Sequence, residues 1–262
     1  MKPTRMLFAA ALAFTVAAPA FGPAFAADPT PAQKAQWAKE AEERLHTDWA
    51  YLGRYRDANA ALPAPVKGQP RIVLIGDSIT QGWFDQVPTF FDGGRIGRGI
   101  GGQTTPQMLV RFPADVIALK PAVVQIMAGT NDIAFNTGPM TPDESKANIR
   151  AMTELAQANG IRVILASIPP ADQYPWRPGL DTGSKIVAMN TWLKAYAAAT
   201  GSTYADYWSA LVAPGTMGMR AGLSSDHVHP TPAGYAVMAP VAERAFKAAL
   251  AKPAPKRAVI AQ

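Results

Sequence analysis

The sequence has 262 residues, of which 48% are hydrophobic and 17% charged, a globular composition long enough for one sizeable core. It contains no cysteine, which excludes disulfides, thiol nucleophiles and cysteine-based metal sites. The net charge of +6 forms no basic stripe, so nothing points to nucleic acid, and beyond the N-terminus no apolar run is long enough to predict stable membrane insertion.

Lys2 and Arg5 precede an apolar, alanine-rich run from Met6 to Ala20, and Ala24-Phe25-Ala26 places small residues before a cut. This predicts a signal peptide over 1–26, cleaved after Ala26, and a secreted or periplasmic protein. An uncleaved anchor helix is the alternative, opposed by Pro19 and Pro23. From Gln33 to Asn59, apolar residues recur at steps of three and four (Trp37, Ala41, Leu45, Trp49, Leu52, Tyr55), which predicts one amphipathic helix. Pro63, Pro65 and Gly68 follow, so residues 27–68 read as an N-terminal helix and linker.

Residues 69–250 alternate between two periodicities. Strand-like runs at Ile72–Ile75, Ala122–Met127, Arg162–Ser167 and Ser202–Ala205 are separated by helical stretches at Thr141–Asn159 and Gly183–Ala199. A final helix is expected over Thr231–Ala251, and residues 251–262, rich in proline and alanine, read as a flexible tail. Strands separated by helices imply crossover connections and a parallel sheet covered on both faces.

Four polar blocks stand out: Gly76-Asp77-Ser78, Gly101-Gly102-Gln103-Thr104-Thr105, Gly129-Thr130-Asn131-Asp132 and Asp226-His227-Val228-His229-Pro230. The first and third each follow a strand, which places them on the carboxyl edge of the sheet, where open α/β folds bind ligands. Taken alone, Asp77 and Ser78 are equally well read as a helix cap. A serine nucleophile needs a base, and an imidazole base needs a carboxylate to fix its tautomer. Asp226 and His229 are three apart and share a face in a helical turn, so one segment can supply both. The Ser78 N–H, the Gly102 N–H and the Asn131 amide are available donors for an oxyanion.

This ordered set resembles the SGNH hydrolases, the superfamily of GDSL esterases and lipases, over about Arg71 to Phe246. The resemblance rests on Gly-Asp-Ser-Ile-Thr at Ser78, Gly-Ile-Gly-Gly-Gln-Thr-Thr at Gly102, Gly-Thr-Asn-Asp at Asn131 and Asp-x-x-His-Pro at Asp226 and His229. It implies a flavodoxin-like three-layer α/β/α sandwich with a central five-stranded parallel sheet. It also implies ester hydrolysis through an acyl-serine, with Ser78, Asp226 and His229 catalytic, Ser78, Gly102 and Asn131 as oxyanion hole, and no metal or organic cofactor. The second block is most similar to platelet-activating-factor acetylhydrolase-like and carbohydrate acetylesterase members. One departure is visible: Gly97-Arg98-Gly99 stands where many relatives have Asn-Arg-Gly, which puts a local hydrogen bond in doubt.

Competing readings remain. Gly97-x-Gly99-x-x-Gly102 fits a dinucleotide fingerprint literally, but Lys120-Pro121 occupies the expected acidic position. His227 is the rival base, and with Asp226 and His229 a rival metal ligand. Trp83, Trp176 and Arg177 are candidate substrate contacts, although aromatics are as often core. Short-chain acetyl esters of carbohydrates or similar small molecules are the expected substrates. Longer acyl chains, as in a lysophospholipase or thioesterase, and a non-catalytic glycan-binding module are the alternatives. The sequence carries no indication of oligomeric state.

Overall fold

Three of the five strands stop at or just before a polar block. In the computed structural model, which describes residues 30–258, the elements in chain order are α1 (Pro31–Thr47), α2 (Arg56–Ala60), β1 (Ile72–Gly76), α3 (Ser78–Gln86), β2 (Arg95–Gly99), α4 (Thr105–Asp115) and β3 (Val123–Met127). They continue with α5 (Thr130–Ile133), α6 (Pro142–Ala158), β4 (Arg162–Ala166), α7 (Thr182–Ala199), β5 (Thr203–Ala205), α8 (Tyr207–Leu211) and α9 (Pro232–Ala251). The expected signal peptide lies outside the described residues.

The chain divides into two units, residues 1–43 and 44–262. The first contains most of α1, whose N-terminus is closed reciprocally by Thr30 and Gln33. The second contains the sheet, all parallel, in the order β2-β1-β3-β4-β5. With helices on both faces, this is the expected flavodoxin-like α/β/α sandwich, and its strand order reverses between β1 and β3.

Alternation along the strands divides the core. Val73, Ile75, Val124, Ile126, Val163 and Leu165 face α4, α6 and α7, which contribute Met108, Phe112, Ile149, Met152, Ile186 and Leu193. Ile72, Leu74, Val123, Met127 and Ile164 face α3, α8 and α9, which contribute Trp83, Tyr207, Tyr235, Met238 and Phe246. Both faces are buried, which is why the strands read as continuous apolar runs. Helix starts follow local chemistry: Thr141 and Glu144 form a capping box for α6, and Asp181, Asp206 and Thr231 cap α7, α8 and α9.

Several expectations need correction. The N-terminal helix stops at Thr47, twelve residues short of Asn59, because the Asp48 carboxylate takes the Leu52 and Gly53 N–H groups at 2.7 and 2.8 Å and Tyr51 turns left-handed at φ 55°. Residues 49–59 then fold onto the second polar block. The Tyr55 hydroxyl donates to Gly99 O, and Gln103 Nε2 and Gln107 Nε2 donate to the Ala50 and Trp49 carbonyls at 2.8 Å. The unit that contains the sheet therefore reaches upstream of residue 69. Arg95–Gly99, which is not among the expected strand-like runs, is the strand β2, and α8 is a further helix that the periodicity did not predict. The tail is docked through residue 258: Lys252 Nζ donates to the Gly201 and Ser202 carbonyls, and Ala258 N–H to Ala158 O at 2.8 Å.

Candidate active site

Three strands end on one line, since Gly76 of β1 pairs with both Gly99 of β2 and Met127 of β3. Ser78, Gly102 and Asn131 therefore leave the sheet side by side at the switch point. Gly99 is required there: a Cβ would lie 2.1 Å from Gln81 N and 2.7 Å from Asp77 O, so only glycine lets β2 lie against the first turn of α3.

Asp77 caps α3 by accepting the Ile79 N–H at 2.9 Å. Burial pushes its carboxyl up to about 6, against the opposing pull of the Ile79 N–H, His229 and the Thr130 hydroxyl. The folded chain thus holds this proton at pH values where the unfolded chain, near 3.8, has released it. Stability from this group is full below about pH 4 and falls as pH rises through 6. Asn keeps the capping oxygen and never ionises. The stability of the Asp77→Asn variant relative to wild type should therefore rise by about 2–3 kcal/mol between pH 4 and 7. Urea unfolding across that range checks this; a pH-independent difference contradicts it.

The serine meets its base directly. His229 Nε2 is 2.8 Å from Ser78 Oγ, and His229 Nδ1 is 2.6 Å from Asp226 Oδ2. The other Asp226 oxygen accepts the Val228 and His229 N–H groups at 3.0 and 2.8 Å. Partial burial raises the Asp226 pKa, but these N–H groups and the imidazole outweigh it and hold the carboxyl below its usual value. The local conformation is not the helical turn expected from the spacing. It is a loop closed by a Ser224–Pro230 bridge, with His227 left-handed at φ 72°. That twist sends the two histidines to different partners: His229 to Ser78, and His227 to Asp172 at 3.1 Å. No three-residue metal cluster is present among the described residues.

Donors converge from the other two blocks. Gly102 sits at φ 76° with open space around its Cβ position, and a Cβ on Gly101 would be 3.8 Å from Ser78 Cβ. The Ser78 N–H is the first of its helix and has no intrahelical acceptor. Asn131 is buried; its Nδ2 donates one proton to Gln103 O at 3.0 Å, which leaves the second free. Its Oδ1 accepts from Asn136 Nδ2 at 2.7 Å, and Asn136 Oδ1 accepts from Trp176 Nε1 at 3.1 Å. This relay fixes the Asn131 amide, and Asn136 gave no signal in the sequence. Asp132 is structural, its carboxylate taking the Thr105 N–H and hydroxyl and the Ser145 hydroxyl.

Beneath the site lies Arg111, fully buried on α4. It donates to Gly76 O at 2.9 Å, Gln103 Oε1 at 2.5 Å and Asp115 Oδ2 at 3.0 Å, tying the nucleophile strand to the second block. Its i,i+4 spacing from Asp115 reads in sequence as a solvated surface pair. The departure at Gly97 is also explained. A Cβ there would be 3.1 Å from Phe91 and 3.3 Å from Phe84, and Arg98 receives its amide partner from Asn59 Oδ1 at 2.8 Å instead.

Of the three candidate substrate contacts, Trp83 is corrected. It is fully buried, stacked between Phe90 at 4.2 Å and Tyr235 at 5.5 Å, and faces the core. Arg177 clamps the loop after α5 through the Ala134 and Phe135 carbonyls at 2.7 and 3.1 Å. Trp176 is 40% exposed and stacks on buried Tyr174 with ring centres 5.0 Å apart.

A family model described as GDSL-like lipase/acylhydrolase matches residues 74–237. Among solved structures, a GDSL-like lipase from Bacteroides thetaiotaomicron is 43% identical, with a TM-score of 0.75 over 77% of this chain and 100% of that one. An acetylxylan esterase of Geobacillus stearothermophilus is 29% identical over 154 residues, 55% of this chain and 68% of the relative. A Bacillus subtilis lipoprotein is 31% identical over 122 residues, 40% of this chain, and the chain spans only 50% of its length.

Proposed function

Since the chain belongs to the GDSL-like lipase/acylhydrolase family and is a carboxylic ester hydrolase, we propose that it is an exported enzyme that removes short acyl groups, acetyl above all, from carbohydrate esters. The observation that carries the chemistry is the continuous path from Asp226 through His229 to Ser78 Oγ.

Ser78 Oγ attacks the ester carbonyl while His229 Nε2 takes its proton. Asp226 accepts the Nδ1–H and stabilises the imidazolium. The developing oxyanion is held by the Ser78 N–H, the Gly102 N–H and the free Asn131 amide proton. Collapse expels the alkoxide, which takes the proton from His229, and leaves an acyl-Ser78. Water, deprotonated by His229, then attacks the acyl carbonyl, and the acid departs as Ser78 recovers its proton.

The acetyl preference is supported by the likeness to an acetylxylan esterase, and export by the leader over 1–26 and the likeness to a lipoprotein. No helix among the described residues is long and apolar enough to cross a membrane. A chain-length series of p-nitrophenyl esters tests the acyl part. The expected maximum is at two to four carbons; a maximum at eight or more would replace this reading with a longer-chain lipase or thioesterase.

A further inference from the structure

The triad loop carries a second histidine whose side chain and partner the ester-hydrolysis chemistry does not use. His227 follows Asp226 and adopts φ 72°, a left-handed backbone that is costly for a residue with a Cβ. Its Nδ1 lies 3.1 Å from Asp172 Oδ1, a residue on the loop that leaves the carboxyl end of β4. Two separate loops therefore meet in this one pair. Beside it opens a cavity of about 210 Å³, lined by Asp172, Met219, Arg220, Ser224, Ser225 and His227.

The lining selects a ligand class. One carboxylate and one guanidinium balance in charge, which disfavours both anions and cations. Met219 is the sole large apolar side chain among these six, which disfavours an acyl chain. What remains is a set of mixed donors and acceptors. Asp172 keeps an oxygen beyond its contact with His227, His227 keeps Nε2, two serine hydroxyls are present, and Arg220 spends one Nη2 proton on Ala210 O at 2.6 Å and retains others. Such a set suits neighbouring hydroxyls of a neutral sugar.

We propose that this cavity is the subsite for the sugar on the alcohol side of the scissile ester, with Asp172 and His227 gripping adjacent hydroxyls. The proposal rests on Ser78 being the nucleophile. It places the recognition group two residues from the base, so binding energy from the sugar is available to hold the ester against Ser78.

The test is a ratio: kcat/KM on O-acetylated xylo-oligosaccharides divided by kcat/KM on p-nitrophenyl acetate. In Asp172→Ala and in His227→Gly this ratio should fall about 10- to 100-fold, mostly through KM, because a hydrogen bond between a sugar hydroxyl and a charged or strongly polar group is lost. The His227→Gly variant relieves the left-handed strain and so gives a readout even if Asp172→Ala unsettles its loop. An unchanged ratio overturns the proposal. So does an equal loss on both esters, which would mark the pair as a brace of the triad loop, and so does a wild-type enzyme inactive on every acetylated oligosaccharide. Failure of the Ser78 reading is seen separately, as p-nitrophenyl acetate hydrolysis retained by Ser78→Ala.

Discussion

Replacing His229 by alanine should lower kcat on p-nitrophenyl acetate by about 10⁴- to 10⁶-fold. Among the described residues the imidazole is the one group hydrogen-bonded to Ser78 Oγ, at 2.8 Å, and a serine hydroxyl without a base is a poor nucleophile. Ser78 and His229 act as a unit, so the double variant Ser78→Ala/His229→Ala should lose no more than either single one. The residual rate belongs to the oxyanion donors, which both changes leave in place. Steady-state kinetics with purified variants decide this. A loss below ten-fold, or losses that multiply in the double variant, would mean that another group deprotonates the nucleophile.

The largest stability effect should come from a residue that touches no substrate. Arg111→Met removes the partner of Asp115, a carboxylate that is 1% exposed. Asp115 keeps its bond from Asn59 Nδ2 at 2.6 Å and the nearby charge of Arg98, but loses its ion-pair partner in a buried site. Gln103 Oε1 loses its donor at the same time, and Gly76 O keeps its bond from the Ile100 N–H at 3.1 Å but loses the guanidinium. Breaking a buried pair in this way costs about 3–5 kcal/mol, a large share of the stability of an ordinary domain. Adding Asp115→Leu should recover part of the loss, because the stranded charge is then gone while the orphaned Gln103 Oε1 remains. Urea unfolding of both variants measures this; a loss under 1 kcal/mol for Arg111→Met would mean that the pair is not desolvated as the fold indicates.

These two residues mark where the sequence is legible. His229 can be read because catalysis demands a serine, a base and a carboxylate outside the apolar runs, and such groups are rare enough to stand out in order. The sheet can be read for a related reason: strands buried on both faces leave unbroken apolar runs, and polar residues cap the helices between them. Arg111 cannot be read this way. Its partners, Gly76 O and Gln103 Oε1, are set by strand register and loop path, not by any neighbour in sequence. The same holds for Asn136 behind Asn131 and for Asn59 behind Arg98. Trp83 is a different case, since it lies four residues after Ile79 on one face of α3, so helical spacing already points it to the core. The break of the N-terminal helix at Asp48 was hidden because the apolar spacing continues across it, while the cap that ends the helix is a side chain reaching forward.

The most direct test of the central claim is where a serine-directed fluorophosphonate attaches. The reagent demands an activated hydroxyl, an adjacent base and an oxyanion site, which are the three parts assembled at Ser78. Intact mass and peptide mapping should find one phosphonyl group per chain, on Ser78, with esterase activity lost in step with labelling and no label on Ser78→Ala. A label on a different residue that abolishes activity, or full esterase activity in Ser78→Ala, would contradict the account.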